Sequence, residues 1–464
     1  MRNPAYTATL VIGALSLAVP MTAKAGPISQ SKLVSVGMIE QAKTAIRNGN
    51  YAEASRILRP LAEQGDAVAQ TNLGLLYDIG LGVTQDEAVA LWWFRLAAAQ
   101  GSAVAQSYLG VMYDDGRGVS QNYPEALRWY RLAAAQGIAP AQYNLGVMYD
   151  KGRGVTQDYT EATKWWRLAA EQNNAAAQFN LGVMFNDGRG VDQNPTEALK
   201  WWRLAAEQGF EPAQFELGRN FAKGQGVAQN YEEAARWYRL AAAQGNVTAQ
   251  YNLGVMYDNG RGVTRDFAEA AKWYRLAAAQ GNATAQFNLG VMYENGRGVA
   301  QDYEEATKWY RLAAAQGNAA ARNNFGSMQA DGRGVAQNYA EALQWYRLAA
   351  AQGNVRAQYN LGEMAAEGRG ELQSYSEALR WYRLAASQGE ASAQFSLGTL
   401  YANGRGLTQD YIKGYAWYAI SAANGDEQAW VYRDALRAQM TREQIAVGQA
   451  LAAKCLKSNY RDCE

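Results

Sequence analysis

From residue 69 onward the apolar positions follow two alternating helical patterns, separated by short polar segments that carry glycine. Ala141, Asn144, Leu145, Met148 and Tyr149 stand at i, i+3, i+4, i+7 and i+8, which predicts one face of an amphipathic helix, here helix A. Ala162, Trp165, Trp166 and Ala169 repeat the helical spacing and predict a second, helix B. Between them lie Gly152 and Gly154, then Val155 and Asp158. The Asp158 column holds Asp or Asn in nine repeats and Ser374 in the tenth, all residues whose side-chain oxygen can cap a helix N-terminus. Glu161, three residues on, predicts a reciprocal capping box that eight repeats share, with Val89 and Lys413 departing from it. Helix B should stop at a left-handed residue, supplied by Gly101, Gly137 and their counterparts, with Asn173 the one substitute.

These patterns recur with a fixed period. The glycine of the Leu-Gly pair falls at 74, 110, 146, 182, 218, 254, 290, 326, 362 and 398, so residues 69–428 form ten abutting repeats of 36 residues. The Gly-x-Gly before helix B occurs in every repeat, beginning with Gly80 and Gly82. A phosphate-binding loop is normally a single feature, so the pair is read as turn punctuation. A glycine within helix A costs about 1 kcal/mol relative to alanine. That cost is sustainable if the missing Cβ lets helix B approach closely. The tryptophan column (93, 129, 165, 201, 237, 273, 309, 345, 381, 417) is the expected beneficiary.

L-G-x-x-Y in helix A, G-x-G-V in the turn and E-A-x-x-W-Y-x-x-A-A in helix B resemble the SEL-one-like repeat (SLR) family, a relative of the tetratricopeptide repeats. The resemblance covers residues 69–428 and reaches back to Tyr51, Ala54 and Gly65. It implies an all-α, right-handed solenoid of stacked antiparallel helix pairs that holds other proteins or peptides. Residues 26–68 then read as an N-terminal capping helix pair, with residues 31–48 an atypical helix A. Residues 429–464 read as a C-terminal cap in which Thr441-Arg442-Glu443-Gln444 opens one helix, through about Lys454.

Composition narrows the chemistry. The chain has no histidine, and its only cysteines are Cys455 and Cys463, which removes the commonest general base and cysteine-built metal centres. No cofactor or metal site is expected. Basic and acidic residues balance at 44 and 43 without long runs, which gives no electrostatic footprint for nucleic acid or an anionic membrane. Arg2, the apolar stretch LVIGALSLAV and Ala23-Lys24-Ala25 read as an export signal over residues 1–25, cleaved between Ala25 and Gly26. The expected product is periplasmic or secreted and not inserted in a membrane. In an oxidising compartment Cys455 and Cys463 are expected to pair; in the cytosol they would be two free thiols.

By analogy with tetratricopeptide arrays, helix A should line a concave side through the columns of Tyr143, Val147 and Asp150. The Tyr143 column continues as Phe179, Phe215, Tyr251, Phe287, Tyr359 and Phe395, either a binding strip or rings packed on a helix B. Asn72, Asn144, Asn180, Asn252, Asn288, Asn324 and Asn360 form a second ladder. Its amides either contact a peptide or bond a neighbouring loop. Irregular repeats add Arg219, Asn220, Glu216 and Lys223, then Arg322, Asn323, Ser327 and Gln329, then Glu363, Ala365 and Glu371, as partner-reading positions or as drift. The leading expectation is an exported, non-enzymatic scaffold with a protein or peptide partner. Two alternatives are an envelope hydrolase, for which Ser29-x-x-Lys32 is the one motif, and a secreted factor that binds a host surface.

Overall fold

The computed structural model describes residues 30–461 and 463, so the segment read as an export signal and Ser29 lie outside the described residues. Among the described residues the secondary structure is 24 α-helices in antiparallel pairs, in two compact units that divide between Asn230 and Tyr231.

A representative pair is helix A at Ala139–Lys151 and helix B at Tyr159–Glu171. Helix A stops at Gly152, the first glycine of the turn pair, in a left-handed cap at φ 66°. Asp158 Oδ1 accepts from the backbone N–H groups of Thr160 and Glu161 at 2.9 and 3.0 Å, fixing the start of helix B. The reciprocal half of the expected capping box is replaced: the Glu161 carboxylate instead takes Lys164 Nζ and the Trp165 indole N–H one turn on. Helix B ends at left-handed residues, Asn173 included at φ 66°.

The first unit opens with helices Gln30–Arg47 and Tyr51–Glu63, which share a core of Ile39, Ala42, Ile46, Leu58 and Leu61 with Leu73 and Trp93 of the first repeat. The second unit closes with helix Arg442–Lys457, which carries the expected Thr441–Gln444 capping box. A helix at Glu427–Arg437 precedes it, which the sequence reading did not include. It begins like an eleventh helix A: Ala429 occupies the Ala393 column and is buried, while Arg433 and Asp434 stand where Leu397 and Gly398 stood and break the apolar pattern.

Two glycine roles are separated by the packing. The tryptophan column is not what lies beneath the helix A glycines; the next residue is. A Cβ on Gly146 would stand 2.6 Å from Trp166 Cδ1, and one on Gly182 would stand 2.5 Å from Trp202 Cδ1. Phe94, Tyr130, Tyr274, Tyr310, Tyr346, Tyr382 and Tyr418 occupy the same place elsewhere. Trp165 and Trp201 are only partly buried, turned toward the cluster shared with the preceding repeat. In the Gly-x-Gly pair, the first glycine ends helix A and the second joins repeats. A Cβ on Gly154 would lie 2.6 Å from the Tyr123 carbonyl carbon and 2.8 Å from Pro124 N, at the start of the previous helix B.

Cys455 and Cys463 form a disulfide within a core cluster that includes Leu397, Leu400 and Ile420. The bond draws the tail back so that the Tyr460 hydroxyl donates to Asn424 Oδ1 at 2.9 Å. Opening this short loop, by reduction or by Cys455→Ala, should cost about 2–3 kcal/mol. Hydrogen exchange should show the loss concentrated in helix Arg442–Lys457. Unchanged protection there would contradict a structural role for the bond.

Candidate functional site

Each repeat spends its most regular polar residues on holding itself to its neighbours. Gln142, buried at the start of helix A, donates to Ala134 O at 3.2 Å and accepts from Gln172 at 2.7 Å. Gln178 and Gln208 repeat the arrangement. Arg322 belongs to this column. Its Nε donates to Ala314 O at 3.1 Å, the same acceptor position eight residues back. It therefore stands in the place of a structural glutamine and makes the same backbone bond.

Four of the seven ladder asparagines face tyrosine hydroxyls. Asn288 faces the hydroxyls of both Tyr251 and Tyr274, Asn180 that of Tyr143, Asn144 that of Tyr130, and Asn324 that of Tyr310. Asn360 donates to Asn323 Oδ1 at 3.0 Å, and Asn72 donates to Val68 O at 2.9 Å. Asn252 is half-buried on its helix.

The irregular repeats also spend their polar groups internally. Ser327, Glu363 and Thr399 stand in the Val147 column, and each bonds the hydroxyl of the tyrosine opposite, Tyr346, Tyr382 and Tyr418. Where Ala365 replaces a tyrosine that elsewhere takes the arginine of the preceding helix B (Arg131 to Tyr149 is 2.8 Å), Glu371 takes Arg347 instead at 2.6 Å. Arg219 pairs with Glu216 one turn away at 2.6 Å, and Asn220, buried, donates to Glu216 O.

The aromatic column is half-buried throughout. In the second unit Tyr251, Phe287, Tyr359 and Phe395 tilt against Tyr274, Tyr310, Tyr382 and Tyr418 of their own helix B, with centroids 5.3–6.0 Å apart. In the first unit Tyr143 and Phe179 accept the indole N–H groups of Trp166 and Trp202 on their backbone carbonyls, both at 3.1 Å. Phe215 lies half-buried on its helix. The rings of Tyr251, Phe287, Tyr359 and Phe395 are thus committed in part to packing on helix B.

Tyr143 and Phe179 converge with Val147 and Val183 on a groove of about 320 Å³ in the first unit. Asp150, Lys151, Arg189 and Asn180 ring it, and the Trp166 and Met184 side chains form its floor. The three columns expected to face a partner, those of Tyr143, Val147 and Asp150, are therefore brought together here. Sequence spacing placed them on one face; the polar rim from Lys151 and Arg189 was not anticipated.

Burial pushes the Tyr108 and Tyr346 hydroxyls up to about 12, because the tyrosinate would lose its hydration. Since the folded value lies above the ordinary value near 10, these groups favour the fold fully below pH 10. That contribution should fade as pH rises from 10 to 12. Urea midpoints measured across that window should fall, and the fall should be smaller in Tyr346→Phe; equal falls would contradict the burial assignment.

Among the described residues no cluster of three or more His, Cys, Asp or Glu is arranged to hold a metal ion, and no helix is long and apolar enough to cross a membrane. Ten consecutive stretches match the Sel1 repeat family: 67–102, 103–138, 139–174, 175–210, 211–246, 247–282, 283–318, 319–354, 355–390 and 391–426. Among solved structures the chain is similar to a protective antigen present in uropathogenic Escherichia coli strains, which displays an SLR fold. That likeness has 34% identity and a TM-score of 0.77, covering 94% of this chain and 96% of that one. It is also similar to a Sel1 repeat protein from Oxalobacter formigenes, at 33% identity and a TM-score of 0.49, covering 66% and 97%. No curated protein sequence matches significantly.

Proposed function

Because the chain belongs to the Sel1 repeat family, we propose that it is an exported, non-enzymatic scaffold that holds a protein or peptide partner on the helix A face. The groove carries this reading: four half-exposed apolar side chains, Tyr143, Val147, Phe179 and Val183, meet beneath a polar rim in an otherwise internally bonded repeat. Anchoring an apolar side chain of a partner in such a concavity, with polar groups fixing its orientation, is how small grooves gain both affinity and specificity. The disulfide supports an oxidising compartment, periplasmic or extracellular. Similarity to a protective antigen favours, as a second reading, a partner outside the cell, on a host surface.

The test uses affinity capture from cells that export the tagged protein, beside a Val147→Glu/Val183→Glu variant. Ser327, Glu363 and Thr399 show that this column takes polar side chains where a tyrosine hydroxyl stands opposite; Trp166 and Trp202 stand there in the groove, so the variant's helicity and melting are verified first. The proposal predicts a discrete partner that the variant loses. The same partner retained at full yield would move the interface off this face.

A further inference from the structure

Adjacent repeats are bridged by a recurring ion pair between the acid at the end of helix A and the loop arginine 39 residues later. Arg117 holds Asp78 at 2.9 Å and Arg153 reaches Asp114 at 3.7 Å in the first unit. Within the second unit Arg297 holds Asp258 and Arg333 holds Glu294, the latter at 3.1 Å. At the groove the equivalent pair, Asp150 and Arg189, is open. The cause is local sequence. Lys151, in a column that is Asn259 and Asn295 or an acid such as Asp115 and Asp331 in most other repeats, takes the Asp150 carboxylate at 2.9 Å. Arg189 is left with Asp187 at 3.0 Å, an exposed pair.

Asp187 is not itself the obstacle. Arg333 holds both Glu294 and Asp331, each at 3.1 Å, so one guanidinium in this loop accommodates two carboxylates. Arg189 holds one carboxylate and lies over the Tyr159 ring, and its buried Nε has no hydrogen-bond partner. Lys151 meanwhile neutralises Asp150, which would otherwise repel an incoming anion. The vacant edge stands at the rim of the apolar pocket formed by Tyr143, Val147, Phe179 and Val183.

Resting on the binding function proposed above, we infer that the groove takes an extended peptide segment in which an Asp or Glu side chain neighbours an aromatic or aliphatic residue. The apolar side chain enters between Val147 and Val183. The carboxylate completes the open ion pair on Arg189, where bidentate pairing with guanidinium is favoured. Lys151 is thus a specificity determinant that acts by keeping Asp150 away from Arg189.

The full-length protein would be used to pan a displayed library of random 12-residue peptides, and enriched sequences resynthesised as terminal amides. Enriched peptides should carry an acidic residue within two positions of an apolar one and bind less tightly as salt rises. Lys151→Asn should let Asp150 close on Arg189 and weaken binding at least tenfold while leaving the melting profile intact. Arg189→Gln should weaken it similarly.

Enriched peptides without an acidic residue, or a folded Lys151→Asn protein that binds as before, would overturn the inference. So would binding that requires a free terminal carboxylate. The binding function itself fails separately: peptides that bind the Val147→Glu/Val183→Glu variant undiminished do not use this face at all. Peptides that need the groove but not the acid sink only the present inference.

Discussion

Trp202→Ala should destabilise the first unit by about 3–5 kcal/mol, through the transfer and cavity terms of a large buried side chain. Trp202 is 1% exposed, lies directly against Gly182, and donates its indole N–H to Phe179 O. Trp201, its neighbour in sequence, is only partly buried, so Trp201→Ala should cost clearly less. Because repeat arrays distribute stability among neighbouring units, the loss should register first in helices Ala175–Asp187 and Pro195–Glu207. Urea unfolding and hydrogen exchange of the two variants measure this. Equal losses, or a larger one for Trp201→Ala, would contradict the assignment of the buried column.

Gly154→Ala should be the second large effect, about 2–5 kcal/mol. A left-handed backbone costs a non-glycine residue about 1–2 kcal/mol. Here, at φ 66°, the added Cβ also meets the Tyr123 and Pro124 backbone, where overpacking adds about 1–3 kcal/mol. Gly137→Ala isolates the first contribution. Its φ is 85°, but nothing lies within 4 Å of the added Cβ, so about 1–2 kcal/mol is expected. Thermal melts of the two variants should separate. If they coincide, the second glycine of each turn is a conformational requirement only and does not clamp one repeat to the previous one.

That clamp marks where the sequence stopped being informative. The period, the Asp158 N-cap and the left-handed stop at Asn173 are local, and each is encoded within a few residues of where it acts. Gly154 acts on residues about 30 positions away, so its spacing showed a turn but not the neighbour pressed against it. The choice between Trp165 and Trp166 failed for a related reason. Both are aromatic, both lie on the helix B face, and only the packed pair shows which of them fills the space beside Gly146.

Arg322 had a legible signal that was overlooked. It is the one exception in a column otherwise filled by glutamine from Gln70 to Gln394, and that constancy identifies a buried hydrogen-bonding position. Glu371 was less accessible to sequence reasoning. Its partner, Arg347, becomes available only because Ala365 has removed a tyrosine, a compensation among three residues of two repeats. The columns of Tyr143 and Val147 were singled out by analogy with tetratricopeptide arrays, whereas Lys151 and Arg189 depend on which of several carboxylates each side chain takes.

The most direct test of the binding face is site-specific photocrosslinking in exporting cells. A photoreactive phenylalanine would be placed at Val147, on the groove, and separately at Arg128, on the exposed side of helix B. The account predicts a discrete crosslinked protein from position 147 and only diffuse background from position 128. A discrete product from position 128 alone would place the partner on helix B and contradict the assignment of the helix A groove as the working surface.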